Sequence, residues 1–300
     1  MPGGPYKPDP QKNLLMAILL GLVGGIGLAF LFEHLDDTIK QAEDVEQLLG
    51  LPVLGVIPFT RTQVAGGKLF HENFDTRSHF AEAHRSLRTA LQFSTPEGMP
   101  KVLLVTSTSM GEGKSTTALS LAMQIAHAGK KVLIIDSDLR KASLHTSLEL
   151  DNQTGLTNYL AGDAQPVSIT CTTEVPNLFA IPSGPLPPNP AELIGSNKMV
   201  SLLSLAAEKF DCVVVDGPPV LGLADAPLLG SIADATILVV SVGDTRRDFA
   251  RGAVKRLRAT HTHLIGGVLT KMRSRGHTYD YYYSGHYYSY GGSSEVQQLT

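Results

Sequence analysis

Cysteine and surplus charge are both scarce in this chain of 300 residues. Its two cysteines, Cys171 and Cys212, lie far apart and lack the spacing of metal ligands. This excludes a disulfide-stapled scaffold and indicates buried thiols in a reducing compartment. The formal net charge is only -3, so the chain has no global basic signature and we expect no nucleic-acid partner. Internal repeats are also absent, and a hydrophobic content of 43% suits one large α/β domain with appendages.

A tyrosine-rich stretch near the C-terminus lacks the residues that build a core. Positions 279–290 contain no Leu, Ile, Val or Phe, yet they hold seven of the nine tyrosines of the chain. These are Tyr279, Tyr281, Tyr282, Tyr283, Tyr287, Tyr288 and Tyr290. Because Gly, Ser, His and Asp separate the rings, the pattern predicts a disordered tail rather than a buried strand. Composition alone leaves open whether this is a low-complexity end or a substrate.

Residues 14–32, LLMAILLGLVGGIGLAFLF, are nineteen consecutive residues without a charged or hydrogen-bonding side chain. At a rise of about 1.5 Å per residue they are long enough to cross a hydrocarbon core of about 30 Å. A signal peptide has a shorter apolar core, and a buried helix is rarely apolar on every face. The segment therefore predicts one transmembrane helix.

The stretch KVLLVTSTSMGEGKSTT, residues 101–117, combines an apolar β-like run, a loop of small residues and a helical start. Glycines in such a loop let backbone N–H groups surround phosphate oxygens, and the helix N-terminus favours negative charge. Lys114 is then placed to reach the β and γ phosphates of ATP, and the Ser115 hydroxyl to bind Mg²⁺. Thr108 replaces the first glycine of the full pattern, but the strand, loop and helix occur in the right order. The predicted nucleotide-binding residues are Met110, Gly111, Glu112, Gly113, Lys114, Ser115 and Thr116.

Carboxylates follow two further apolar runs. In KVLIIDSDLR the apolar run is followed by Asp136, Asp138 and Arg140, and in CVVVDGPP the three valines are followed by Asp216. Open α/β sheets bind ligands at the carboxyl ends of their strands, and a carboxylate beside a phosphate loop usually holds Mg²⁺. One such aspartate alone would be an ordinary helix cap or turn residue. Three strand ends with polar residues together favour a nucleotide site.

The remaining pattern alternates strands with helices. Strands are predicted at 178–181, 235–241 and 264–269, and helices at 197–209 and 246–259. This alternation predicts a phosphate-loop α/β fold, a doubly wound parallel sheet with helices on both faces. The basic stretch 246–258 is typical of a solvated helix face, with DNA binding as the alternative.

The motifs resemble those of the bacterial tyrosine kinases, which form the cytoplasmic part of polysaccharide co-polymerases. EGKST resembles the Walker A motif of that family, LIIDSDLR its Walker A′ motif and VVVDGPP its Walker B motif. Residues 32–58 resemble the linker after the family's second membrane span. EAHRSLR fits an oligomerisation motif through Glu82, Arg85 and Arg88, and the tyrosine-rich tail resembles the autophosphorylation cluster.

The resemblance implies an ATP- and Mg²⁺-dependent autokinase that phosphorylates its own tail tyrosines between subunits of a ring, most simply an octamer. Its implied partners are a protein-tyrosine phosphatase, the polysaccharide polymerisation and export machinery, and the bacterial inner membrane, with the kinase domain cytoplasmic. The positive-inside rule alone favours a cytoplasmic N-terminus, since Lys7 and Lys12 precede the span. The need for cytoplasmic ATP after the span outweighs that weak bias.

The resemblance also organises the chain and the site. The predicted segments are a Pro-rich stub at 1–13, the span at 14–32, a juxtamembrane linker at 33–77, the kinase domain at 78–275 and the tail at 276–300. The implied metal ligands are Ser115, Asp138 and Asp216. Asp136 is assigned to general base and water orientation, because a tyrosine phenol is protonated at neutral pH. Lys114 and Arg140 would balance charge on the phosphoryl group, and a purely structural role for Arg140 stays open.

Two departures from the family pattern bear on this interpretation. Thr270 stands where related proteins often carry an asparagine near the base, so an adenine contact there is open. The chain also has no counterpart of the family's first span and periplasmic domain, so it is expected to be a fragment or one half of a split protein. Two other functions remain possible from the motifs: a deviant-Walker switch ATPase of the division or partition type, and an assembly scaffold with a structural nucleotide.

Overall fold

The computed structural model of the chain describes residues 9–60, 78–96 and 98–272. It divides into two units, Met1–Thr38 and Ile39–Thr300. The seven tail tyrosines and the whole predicted tail segment, 276–300, lie outside the described residues, so their role stays a prediction.

The first unit contains the helix α1, Pro10–Leu35, which includes the whole predicted span. Between residues 10 and 30 its apolar side chains are exposed on every face, with Leu15 at 71% and Phe30 at 74% of their maximal exposure. Within the described part of the chain, α1 alone is long and apolar enough to cross a bilayer. A helix that is apolar all round and uncovered by protein suits a lipid environment. The predicted helix is confirmed, and its insertion into a membrane stays a prediction.

One sheet of eight strands forms the centre of the second unit. In chain order the strands are β1 Val53–Pro58, β2 Val102–Ser107, β3 Val132–Asp136, β4 Cys171–Thr172, β5 Leu178–Ile181, β6 Cys212–Asp216, β7 Ala235–Ser241 and β8 Leu264–Met272. Their spatial order is β1-β8-β7-β2-β6-β3-β5-β4, and among the described residues only the β4–β5 pair is antiparallel. The central strands are buried along their whole length, as parallel strands covered on both faces should be.

Helices cover both faces of this sheet and confirm the predicted α/β class. They are α2 Ala42–Leu49, α3 His79–Gln92, α4 Lys114–His127, α5 Leu144–Ser147, α6 Leu156–Ala161, α7 Pro166–Ile169, α8 Pro190–Ile194, α9 Asn197–Lys209, α10 Asp225–Gly230 and α11 Arg247–Ala259. Side chains of α3 and α4 share one apolar core with Leu103 and Val105 of β2. Leu104, which points to the other face, packs with α6, α8, α9 and α10. Alternate residues of one strand thus serve two cores, which is the geometry of a doubly wound sheet.

Residues 39–58 belong to the folded unit, which corrects part of the predicted linker over 33–77. The strand β1 pairs in parallel with β8, from Val53 opposite Gly267 to Pro58 opposite Met272. Prolines at both ends of β1 and a glycine within it conceal the strand pattern, but β1 is an edge strand, where proline is tolerated. The pairing also carries β8 to Met272, past its predicted end at Leu269.

The basic helix α11 holds α2 against the sheet domain at both ends. Arg247 Nη2 lies 3.0 Å from Asp44 Oδ1, and Asp44 Oδ2 accepts the Lys40 N–H at 2.9 Å before α2 begins. At the other end, Arg258 Nη2 donates to the carbonyl oxygens of Leu49 at 3.2 Å and Gly50 at 3.3 Å. Arg247 and Arg258 of the basic stretch 246–258 therefore make contacts within the chain while remaining partly exposed to solvent.

Gly266→Ala is expected to destabilise the protein by about 1–3 kcal/mol, because it overpacks the contact between β1 and β8. A Cβ at this position would lie 2.5 Å from Leu54 Cγ and 2.7 Å from the Pro52 carbonyl oxygen. Thermal unfolding of the detergent-solubilised chain measures the loss. Gly252→Ala in α11 is the matched control, since its Cβ would meet its nearest atom at 3.7 Å. An unchanged unfolding midpoint for Gly266→Ala would contradict the close packing of β1 on β8.

Candidate active site

Three adjacent strands bring most of the predicted site residues to one edge of the sheet. β6 lies between β2 and β3, and Asp136 of β3 stands directly opposite Asp216 of β6. On the other side of β6, Val105 of β2 is opposite Asp216. β2 ends two residues later, at Ser107, and the phosphate loop follows. The sheet topology therefore joins residues that are about a hundred positions apart in sequence.

The phosphate loop turns sharply and leads into α4. Gly111 has φ 80° and Gly113 has φ 93°, a left-handed conformation that side-chain-bearing residues rarely adopt. Lys114 is the first residue of α4, and Ser115 and Thr116 follow in its first turn. The first N–H groups of a helix have no intrahelical acceptor, so this turn can bind phosphate oxygens. Met110 is 67% exposed at the outer side of the loop.

Lys114 is the cation at the centre of the site. Its Nζ lies 2.9 Å from Asp138 Oδ2, 3.6 Å from Asp216 Oδ1 and 3.2 Å from the Ser115 hydroxyl oxygen. Burial by itself lowers the pKa of Lys114, but the attraction of Asp216 and Asp138 outweighs burial and leaves that pKa above its ordinary value. The side chain is thus a fixed positive charge held between two carboxylates.

Asp216 is a buried carboxylate paired with Lys114, whose Nζ lies 3.6 Å from its Oδ1. Neither of its side-chain oxygens accepts a hydrogen bond among the described residues, and the residue is fully buried. Burial raises the pKa of Asp216, and the nearby charge of Lys114 opposes that rise. The Lys114 ammonium is beyond hydrogen-bond distance of Asp216, so both carboxylate oxygens can still accept a ligand such as a hydrated cation.

The two aspartates that follow β3 have different surroundings. Asp136 Oδ2 accepts the backbone N–H groups of Ser143 at 3.1 Å and Leu144 at 3.0 Å, which start α5. Burial, reinforced by repulsion from Asp216, raises the pKa of Asp136. Asp138 instead presents Oδ2 to Lys114. Of the two, Asp138 is therefore the carboxylate in contact with Lys114.

Arg140 has a structural partner that the sequence pattern did not reveal. Its Nε donates to Asp225 Oδ2 at 2.7 Å and its Nη2 to Asp225 Oδ1 at 3.3 Å. This pairing raises the pKa of Arg140. A lone acidic residue at the start of an apolar segment, as in ADAPLLG, was the available signal for Asp225. Of the two roles left open for Arg140, the structural one has a defined contact here.

Glu112 connects the phosphate loop to Thr245, which follows β7, and to Thr270 of β8. Its Oε1 accepts the Thr245 hydroxyl at 2.7 Å, and its carbonyl oxygen accepts the Thr270 hydroxyl at 2.6 Å. Thr270 therefore supports the phosphate loop from β8. The sequence pattern did not predict either threonine contact, because both link segments more than a hundred residues apart. Burial raises the pKa of Glu112 to about 7.

Glu112→Gln is expected to increase thermal stability above neutral pH and to change it little near pH 4. The folded state retains a proton on Glu112 up to about pH 7, whereas the unfolded chain releases it near pH 4.5. Between these values the folded state binds more protons, so wild-type stability contains a contribution that falls as pH rises. Glutamine keeps the acceptor for Thr245 and removes the titration. The measurement is the thermal unfolding midpoint of the wild type and of the variant, both free of nucleotide, at several pH values across this range. If Glu112 had the pKa of an ordinary glutamate, the difference between the two midpoints would be the same at every pH.

The predicted oligomerisation motif lies on α3, away from the phosphate loop. Glu82 and Arg85 form an ion pair within the helix, with side chains 35% and 38% exposed. Arg88 Nη1 donates to the Gln124 carbonyl oxygen of α4 at 3.1 Å. The helical spacing thus produces an intrahelical pair, and Arg88 has an additional contact inside the same subunit.

Fold and site together define a phosphate-loop nucleotide-binding domain. Residues 100–263 match the family model described as an AAA domain. The chain is 39% identical over 209 residues to the tyrosine-protein kinase YwqD of Bacillus subtilis, covering 69% of this chain and 88% of YwqD. The chain belongs to the bacterial tyrosine-protein kinase family.

Two further comparisons agree with this assignment. The kinase domain of the Escherichia coli tyrosine kinase ETK superimposes with a TM-score of 0.73 at 29% identity, covering 80% of this chain and 97% of that one. The putative tyrosine-protein kinase EpsB of Ralstonia solanacearum is 33% identical over 293 residues. That alignment covers 94% of this chain but only 39% of EpsB, so the chain corresponds to less than half of that relative.

Proposed function

We propose that the chain transfers the γ-phosphoryl group of ATP to the tyrosines of its own C-terminal tail. The observation that carries this proposal is the buried contact between Lys114 of the phosphate loop and Asp138 and Asp216 at two neighbouring strand ends. Membership of the tyrosine-protein kinase family supports the acceptor chemistry. The seven tyrosines between 279 and 290 are the proposed acceptors.

The site residues support a charge-based mechanism. Backbone N–H groups of the phosphate loop and of the first turn of α4 would hold the phosphates. Lys114 would stabilise the negative charge that develops on the γ-phosphoryl group. Asp136 is the proposed base for the phenol proton and for water orientation, and its raised pKa suits proton uptake near neutral pH. Arg140 would add positive charge at the same edge through the N–H groups not used by Asp225.

The donor set fits Mg²⁺. Ser115 offers a hydroxyl, Asp138 a carboxylate oxygen, and Asp216 two buried oxygens that accept no hydrogen bond among the described residues. Hard oxygen donors of this kind, completed by water and phosphate, are what Mg²⁺ prefers. Held by Ser115, Asp138 and Asp216, Mg²⁺ would supply positive charge that neutralises the negative charge developing during transfer.

The proposed cellular role is regulation of exopolysaccharide or capsule polymerisation and export at the inner membrane. The apolar helix α1 is the proposed anchor, with the sheet domain in the cytoplasm. The polysaccharide machinery and a protein-tyrosine phosphatase are proposed partners, the second because reversible control needs the phosphate to be removed. A switch ATPase and a scaffold remain the alternatives that an activity test must separate.

Incubating the detergent-solubilised chain with γ-labelled ATP and Mg²⁺ tests the proposed activity. We expect label on the protein, in a tyrosine-linked form that resists alkali. Free phosphate alone would show a switch ATPase, and neither product would indicate a scaffold. A chain with all seven tail tyrosines replaced by phenylalanine is the matched control, and it should bind ATP but accept little label.

A ring of subunits, most simply an octamer, is the proposed assembly, with each tail entering a neighbouring active site. Arg85→Ala is expected to shift the unphosphorylated protein with Mg²⁺ and nucleotide toward monomer, and adding Arg88→Ala should extend the shift. Full phosphorylation should do the same, because seven phosphates add roughly -10 to -14 charges per tail. Size exclusion with light scattering measures the mass.

The control for assembly is Arg251→Ala, which removes an exposed ion pair of α11 with Asp248. The variant Arg85→Ala is measured alone as well, because Arg88 also contacts α4 and its loss disturbs packing within the subunit. A large mass that persists in the double variant and after phosphorylation would exclude the proposed coupling.

A further inference from the structure

Asp225 is a buried carboxylate at the start of α10, and it accepts hydrogen bonds from Arg140 in the turn after β3. Its side chain is 2% exposed and receives two guanidinium N–H groups from Arg140, at 2.7 Å and 3.3 Å. The Arg140 side chain is 40% exposed. A two-point contact between a planar guanidinium and a carboxylate fixes orientation as well as distance.

Arg140 lies in the turn that holds Asp138. Within this turn, Asp138 Oδ1 accepts the backbone N–H of Arg140 at 3.3 Å and that of Lys141 at 2.9 Å. These contacts leave Asp138 Oδ2 directed at Lys114, 2.9 Å away. Anchoring the Arg140 side chain therefore also anchors the backbone groups that orient Asp138.

The segment that carries Asp225 is itself attached to the phosphate-loop strand. The Val220 N–H donates to the Ser107 carbonyl oxygen at 2.8 Å, and the Leu221 N–H donates to that of Thr108 at 3.2 Å. α10 begins at Asp225 soon after these bonds. The Asp225–Arg140 pair thus connects the turn after β3 to a segment already tied to the phosphate loop.

We infer that Asp225 is a positioning residue for phosphoryl transfer, acting through Arg140 to orient the Asp138 carboxylate toward Lys114 and the bound cation. The inference rests on the proposed function, in which Asp138 is a metal ligand. Residues that orient metal ligands typically affect metal affinity or activity by about 10- to 100-fold when replaced.

Asp225→Asn in the full chain tests the inference. The Mg²⁺ concentration for half-maximal autophosphorylation is expected to rise about tenfold, with a parallel fall in maximal rate. The dissociation constant of Mg²⁺, measured by calorimetry in the presence of a non-hydrolysable ATP analogue, should rise by about the same factor. Arg140→Gln should reproduce these changes, and thermal unfolding of both variants is measured beside them, because Arg140→Gln leaves the buried Asp225 carboxylate without its partner. Arg140→Lys, which keeps the charge but lacks the planar fork, should restore little. Asp248→Asn, which removes the exposed partner of Arg251, is the control for loss of one carboxylate and should behave as wild type.

The double variant Asp225→Asn with Arg140→Gln separates this inference from a general loss of stability. If Asp225 acts through Arg140, the double variant should show the same Mg²⁺ dependence as either single variant. Effects that multiply, or a wild-type Mg²⁺ dependence in both single variants, would overturn the inference. Asp138→Asn is measured in parallel, because an unchanged Mg²⁺ dependence there would instead overturn the proposed metal site on which the inference rests.

Discussion

Lys114→Met is expected to reduce autophosphorylation by at least about 10²-fold while the protein stays folded. The variant removes the charge that would follow negative charge onto the γ-phosphoryl group, and it keeps a side chain of similar length. It also leaves Asp138 and Asp216, now within 2.9 Å and 3.6 Å of the ammonium, without their cation.

The measurement is the initial rate of tail labelling by γ-labelled ATP, with thermal unfolding to show that the variant is folded. Lys130→Met is the matched control, because Lys130 is exposed just after α4. A near wild-type rate for Lys114→Met would show that this loop does not form the catalytic phosphate site.

The variants Asp136→Asn and Asp138→Asn are expected to reduce the rate by comparable factors of about 10²-fold or more but to differ in Mg²⁺ dependence. Of these two aspartates, Asp138 is the one with a carboxylate oxygen in contact with Lys114 and the proposed metal ligand, so its replacement alone of the two should raise the half-maximal Mg²⁺ concentration. Asp136 is surrounded by backbone donors and should act on proton transfer rather than on cation binding.

The experiment is a Mg²⁺ titration of labelling rate at fixed ATP for both variants and the wild type. Thermal unfolding belongs beside it, because Asp136→Asn also disturbs the hydrogen bonds that start α5. Superimposable Mg²⁺ titrations for the two variants would exclude the proposed division of roles.

The strand-end motifs are local signals, and these were predictable from sequence. Apolar runs that stop at Asp136 and Asp216, and the loop that leads into Lys114, each occupy fewer than twenty consecutive positions. Parallel pairing then brings them together without further information, since carboxyl ends of parallel strands share one edge. The fold class followed from the same alternation.

The contacts that escaped prediction depend on pairings over long sequence distances. The sequence pattern does not predict the strand β1, because the prolines at its ends are typical of a linker. Its pairing with β8 in the structure shows that it is a strand. Asp225 shows its role only once α10 lies beside the turn containing Arg140. Thr245 and Thr270 resemble ordinary strand and turn residues until both are found against Glu112. Such residues hold the site residues in position, and their spacing in the sequence forms no motif with the residues that they contact.

Residue-level mapping of phosphate on the wild-type chain tests the central claim most directly. The chain is incubated with ATP and Mg²⁺, digested and sequenced by mass spectrometry, with Lys114→Met treated identically. The proposed function predicts phosphotyrosine concentrated between Tyr279 and Tyr290 in the wild type and at most trace amounts in the variant. Phosphate on Tyr159 or on serine and threonine in place of the tail, or an equally phosphorylated tail in Lys114→Met, would contradict the assignment of this site as a tyrosine autokinase.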